Sequence, residues 1–177
     1  MRLLRHQSGF SIIELSVAFA VFVILATVSA PSLKDWQRTY MAKSAARDLF
    51  SNLQSAKIGA VKENRQWRVA FNSSGAYSVL KCFTATCETG TADVDFALVK
   101  SVSFVEAYQN EIAFLNPQSS TVQDKNPLIF LPNGLADQNG FGFIYLGHVT
   151  GKKYYRIGTL SMAGSVVIQR WNGSGWE

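Results

Sequence analysis

The sequence predicts an α+β chain in which one long N-terminal helix is followed by an antiparallel β-sheet or sandwich head. Three observations predict it. Residues 10 to 28 are an apolar run whose only charge is Glu14. From Pro31 to about residue 63, apolar residues recur at three- and four-residue spacing, the period of a half-buried helix. From Gln66 the period becomes two, and Gly, Pro, Asn and Asp clusters punctuate short stretches, as in a chain of antiparallel strands. With 177 residues, 47% of them hydrophobic, the chain is long enough for one folded domain plus an appendage. Disorder is excluded.

The apolar run sets the compartment. Continued to Ala30 as a helix, it reaches about 30 Å, the thickness of a bilayer's hydrocarbon core. Arg2 and Arg5 precede it, so the positive-inside rule keeps residues 1 to 9 in the cytoplasm and sends the C-terminal part across. A secretory signal peptide would end at the small residues 28 to 30, but its apolar region is normally shorter and Pro31 makes a poor scissile partner. A plain transmembrane anchor explains length and orientation and leaves Glu14 unexplained. An acid inside a spanning helix costs about 2.5–3.5 kcal/mol at the centre and less near the end.

Beyond Pro31, the residues Leu33, Trp36, Tyr40, Leu49, Leu53, Ala56 and Ala60 form the expected buried stripe. Lys34, Arg38, Lys43, Arg47, Lys57 and Lys62 fall largely off it, as a solvated face. One helix is therefore expected from about residue 10 to 63, kinked near Pro31, whose ring removes a backbone donor and crowds the preceding turn. Residues 67 to 82 read as a β-hairpin turning at Asn72 to Gly75. Further strands are expected at 97 to 104, 111 to 115, 128 to 132, 142 to 147, 154 to 161 and 165 to 171, with no helix among them. The loop 83 to 96 and the terminal WNGSGWE carry no assignment.

Chemistry is sparse. Cys82 and Cys87 lie five positions apart, and in an oxidising compartment they read as a structural disulfide closing a small loop, worth about 2 kcal/mol. A metal site would need further ligands, and no His lies nearby; no metal and no cofactor are expected. His6 lies in the leader and His148 in a predicted exposed turn, so no imidazole is placed to activate a nucleophile, and no enzyme is expected. GHVTGKK, residues 147 to 153, misses the phosphate-loop spacing by one residue and lacks the following Ser or Thr. The net charge of +5 is modest for a nucleic-acid binder. The best basic and aromatic stretch is KKYYR, where Lys152, Lys153 and Arg156 would meet phosphates and Tyr154 or Tyr155 would stack on a base.

The segment SGFSIIEL resembles the signal of the type IV prepilins and type II secretion pseudopilins: a short basic leader, Gly9, the aromatic Phe10, then an acid in a continuous apolar helix. The resemblance implies cleavage between Gly9 and Phe10 by a membrane-embedded prepilin peptidase, and methylation of the new amine on Phe10. Glu14 then holds the fifth mature position, and Pro31 falls where many members carry a proline. An ammonium from a neighbouring subunit would pair with Glu14 in low dielectric and set the register of assembly. Residues 128 to 147 and 154 to 171, with Pro132, Asn133, Gly134, Gly140 and Gly164 at the turns, resemble the GspH/FimT group of minor pilins and pseudopilins.

The resemblance implies a pilin-like fold: leader 1 to 9, helix 10 to 64 with 10 to 30 transmembrane, and a periplasmic head 65 to 177. It implies a single-pass inner-membrane protein, then a structural subunit of a type IV pilus or type II secretion pseudopilus. Its partners would be prepilin peptidase, other subunits and an inner-membrane assembly platform. FimT-like members include DNA-uptake proteins with basic C-termini, but Arg170 is the sole basic residue of the closing hairpin here, so nucleic acid is not an expected partner. Two alternatives stay open: a FimT-like DNA-uptake minor pilin that binds DNA through the basic C-terminal region, and a membrane-anchored periplasmic binding module or enzyme.

Overall fold

The computed structural model describes residues 11–72, 75–83, 96–108, 111–115, 117, 127–137, 142–150 and 153–177, the side chains of 28–32 and 105 excepted. The chain divides into two units, Met1–Gln37 and Arg38–Glu177. Helix α1, Ile12–Glu63, is the one element with residues in both.

In the first unit α1 opens with Glu14 in its first turn, where a carboxylate complements the helix dipole. No glycine interrupts the helix before Gly59, and it stays helical through Pro31. Among the described residues no helix is long and apolar enough to cross a membrane.

In the second unit α1 buries Ala42, Ala45, Ala46, Leu49, Leu53, Ala56 and Ala60. The expected stripe was right from Leu49 onward and wrong before it: Leu33, Trp36 and Tyr40 are exposed. Alanine carries the buried face, because a methyl lets the helix approach a sheet closely. The helix stops in a Schellman arrangement. Asn64 adopts φ 50°, the Arg65 amide donates to the Ala60 carbonyl at 3.1 Å and the Asn64 amide to that of Val61 at 3.4 Å, satisfying carbonyls the helix leaves open.

Among the described residues eight strands follow: β1 Trp67–Phe71, β2 Ala76–Cys82, β3 Phe96–Ser103, β4 Ile112–Ala113, β5 Leu128–Phe130, β6 Phe143–His148, β7 Tyr154–Thr159 and β8 Val166–Arg170. They form two four-stranded sheets, ordered β3-β2-β1-β5 and β4-β6-β7-β8, and every pair is antiparallel. The short helix α2, Phe104–Ala107, interrupts what the sequence suggested was an all-strand region. Ser103 caps it by accepting from the Glu106 amide, a local bond that alternation cannot announce.

Both sheets and α1 enclose one core. Val69, Tyr77 and Phe130 come from the first sheet, Ile144, Leu146 and Ile157 from the second, and Phe104 and Phe114 lie between. The rings of Phe104 and Phe114 meet edge to face at 5.4 Å, the arrangement ring quadrupoles favour. Polar clasps tie α1 down: Asn52 donates to the Tyr77 hydroxyl at 2.5 Å and the Tyr108 hydroxyl donates to Asp48 at 2.6 Å. Gly59 is required by its neighbour, since a Cβ there would stand 2.6 Å from the Trp67 ring.

Candidate functional site

The N-terminal segment is the first candidate. Its described apolar side chains are exposed, Ile12 to 84%. Two hydroxyls within it are satisfied internally: Ser16 donates to the Ile12 carbonyl and Thr27 to that of Ile24, both at 2.8 Å, which is how a helix keeps such groups in an apolar setting. Glu14 is exposed one turn into α1, and it is the only ionisable group on this stretch. The expected cleavage residues Gly9 and Phe10 lie outside the described residues, as do Lys152 and Cys87. Cys82 is buried at the end of β2 and is not a free thiol.

The C-terminal sheet is the second candidate, and here several expectations change. Arg156 is half-buried and already engaged: its guanidinium lies over Phe143 at 4.5 Å and Trp176 at 5.0 Å, and its Nε donates to Gln169 at 2.7 Å. Tyr155 is buried in the core rather than open for stacking. Burial pushes its hydroxyl up, against the opposing pull of the Arg170 and Arg47 cations. Of the three basic residues singled out in KKYYR, only Lys153 is both described and solvated.

His148, expected in an exposed turn, ends β6 and is 1% exposed. The Thr150 amide donates to Nδ1 at 3.2 Å, which leaves Nε2 to donate to Glu111 at 3.0 Å. The Thr150 hydroxyl lies 3.3 Å from Nδ1, so Thr, His and Glu stand in line as in a hydrolytic triad. The His148 ring is buried while Thr150 and Glu111 are exposed, and the arrangement ties the β6–β7 connection to the segment before β4. Among the described residues no three metal-ligating side chains gather.

The terminal WNGSGWE, without an assignment from sequence, forms a hairpin. Arg170 and Glu177 exchange both backbone hydrogen bonds, and Trp171 bridges Trp176 with ring centroids 5.1 Å apart. The Asn172 side chain accepts from the Ser174 and Gly175 amides. The Arg170 guanidinium pairs with the Glu177 carboxylate, which holds that carboxyl below its ordinary value and raises the guanidinium. The readable signal was the Asn-Gly dipeptide between two tryptophans.

A family model described as type II transport protein GspH matches residues 45–164, more than half of the chain. The chain belongs to the GspH family. A second model, the prokaryotic N-terminal methylation motif, matches residues 4–30, the leader and apolar run in which Gly9, Phe10 and Glu14 lie. The family is one of type II secretion pseudopilins, and the N-terminal helix with antiparallel sheets is a pilin-like α+β fold.

A solved structure of the minor pseudopilin EpsH from the type 2 secretion system of Vibrio cholerae matches with a TM-score of 0.50 and 11% identity, over 72% of this chain and 94% of that one. At that identity the likeness concerns the fold. A second EpsH structure from the same organism matches with a TM-score of 0.48 and 12% identity, over 73% and 94% of the two chains. No curated protein sequence matches the chain.

Proposed function

We propose that the chain is a minor pseudopilin subunit of a type II secretion apparatus, made as a precursor and assembled through its N-terminal helix. The observation that carries this reading is the coincidence of the methylation motif on residues 4–30 with an exposed apolar helix bearing one acid, Glu14, in its first turn. In the proposed sequence of events, prepilin peptidase cuts between Gly9 and Phe10 and the Phe10 amine is methylated. Residues 10 to 30 hold the chain in the inner membrane, with the head, 65 to 177, in the periplasm. Pro31 loosens the helix where it leaves the apolar stretch.

Assembly then draws the helix out of lipid into a bundle of neighbouring helices. A carboxylate there is costly alone and strongly attracted to a cation in the same low-dielectric surroundings. The amine of an adjoining subunit's first residue is the cation that prepilin cleavage creates, and pairing it with Glu14 fixes the stagger between subunits. A disulfide between Cys82 and Cys87 would pin the loop after β2 once the head is exported. The head carries no role in chemistry in this account; it makes contacts with other subunits.

The mass of the mature N-terminus tests the proposal. A chain beginning at methylated Phe10 supports it, whereas an intact Met1 or a chain beginning after Ala30 contradicts it. A DNA-uptake role has less support, because Arg156 is engaged by Phe143, Trp176 and Gln169 and Tyr155 is buried.

A further inference from the structure

Leu33, Trp36 and Tyr40 recur on α1 at three- and four-residue spacing, which sets them on one stripe of the helix. The head leaves that stripe exposed, Trp36 to 64%. A second exposed apolar surface lies where α1 ends. There the turns Leu131 to Gly134 and Ser161 to Gly164 are clasped together by the Ala136 amide, which donates to the Met162 carbonyl at 2.9 Å. The helix packs against the first turn, since a Cβ on Gly134 would stand 3.2 Å from Val61 Cγ2. Around this junction Ile58, Val61, Leu135, Leu160 and Met162 are exposed. Turns ordinarily carry polar residues, so large apolar side chains gathered at two of them mark an interaction surface. It is preformed, because Gly134 and Gly164 let the two turns touch, and Met162 can adapt its shape to a partner.

We propose that these surfaces are the two halves of one contact between copies of this chain, in which the turn surface of one subunit receives the Leu33, Trp36 and Tyr40 stripe of the next. Each copy carries one of each half, and the halves differ, so the contact is heterologous. Such a contact repeats from copy to copy and, where the rotation does not close, builds an open filament. Pairing of the turn surface with itself would instead close at a dimer and leave the stripe exposed. The size of the patch argues the same way. Its side chains present on the order of 500 Å², short of the roughly 800 Å² per partner that a standard interface buries. The contact therefore serves subunits already held side by side, where a first attachment raises the effective concentration for a second. Assembly through the N-terminal helix supplies that first attachment, and the inference rests on that reading.

The test is cysteine cross-linking of full-length chains. Trp36→Cys and Met162→Cys, carrying different tags, are produced together in cells overproducing the secretion apparatus, and the sheared, pelleted filaments are oxidised with copper phenanthroline. Both positions are exposed, so both variants fold, and Cys82 is buried and not a free thiol, so it does not compete. A mixed dimer is expected at a yield at least about tenfold above the dimers that either variant forms alone, as a heterologous contact requires. Ser174→Cys, exposed in the terminal hairpin, takes the place of Met162→Cys in the control and is expected to give no mixed dimer with Trp36→Cys. Pelleted chains that yield no mixed dimer, an equal yield with Ser174→Cys, or dimers of Met162→Cys alone as abundant as the mixed ones overturn the contact and leave the assembly reading standing. Absence of the parent chain from the pellet overturns both.

Discussion

The carbonyl oxygen of Gly134 lies 2.5 Å from the point where a Cβ on Gly164 would stand. The two glycines close two different turns, Leu131 to Gly134 and Ser161 to Gly164, each sealed by an amide-to-carbonyl bond. The Ala136 amide donating to Met162 at 2.9 Å holds the turns together. Both glycines sit at positive φ, 79° and 68°, where a side chain is strained whatever the space. Gly164→Ala is expected to cost about 1–3 kcal/mol in urea unfolding. Gly175→Ala, with nothing within 4 Å, serves as the control and is expected to fall within about 0.5 kcal/mol of the parent.

Gly59→Ala sets two effects against each other. Inside a helix the exchange should gain about 1 kcal/mol from propensity. The new methyl would stand 2.6–2.8 Å from three atoms of the Trp67 ring, and that ring is buried, so it has no open space to swing into. Overpacking costs about 1–3 kcal/mol, so net destabilisation is expected, with a shifted tryptophan emission. A more stable variant with unchanged emission would show that the ring yields freely.

Much of this architecture could be read from the sequence, and the omissions share a cause. The long helix and the strands showed themselves by period, and the Pro132-Asn133-Gly134 turn by its residue types. Period reports which face is apolar, not which apolar face finds a partner, so Trp36 counted as buried and Ala42 and Ala45 went unnoticed. Likewise His148 looked like a turn residue because Gly147 precedes it and Thr150 and Gly151 follow. Its burial depends on Glu111, thirty-seven positions away, a contact that local sequence does not encode. Arg156 read as a free cation for the same reason: its two aromatic partners come from β6 and from the terminal hairpin.

Alkaline titration is expected to weaken the fold. Burial pushes the Tyr77 hydroxyl up to about 12, and burial together with the bond to Asp48 does the same for Tyr108. For a phenol the raised value means that the folded state favours the neutral form. The associated stability is present below the ordinary value of 10.0 and is lost as pH climbs from about 10 toward 12. Thermal unfolding followed at pH 9 and pH 11 should show a larger fall in midpoint for the parent than for Tyr77→Phe with Tyr108→Phe. Equal falls would count against the assignment.

Arg156→Ala is expected to loosen the terminal hairpin. Each ring contact contributes about 0.5–1 kcal/mol and the Gln169 bond about 1 kcal/mol, so a loss on the order of 2 kcal/mol is expected. Near-ultraviolet circular dichroism from the Trp171–Trp176 pair should diminish, and amides 170 to 177 should exchange faster. Arg156→Lys should restore only part of the signal, since an ammonium cannot stack on two rings as a plane does. Unchanged dichroism in the alanine variant would mean that the hairpin holds itself.

The assembly account rests most directly on Glu14. The decisive measurement is the fraction of Glu14→Ala recovered in sheared, pelleted filaments from cells overproducing the secretion apparatus, normalised to the amount of mature protein of correct N-terminal mass. Removing one partner of a desolvated ion pair costs about 3–5 kcal/mol. The account therefore predicts normal maturation with recovery reduced at least about tenfold. Recovery equal to that of the parent would contradict it and leave Glu14 an acid without a part in assembly.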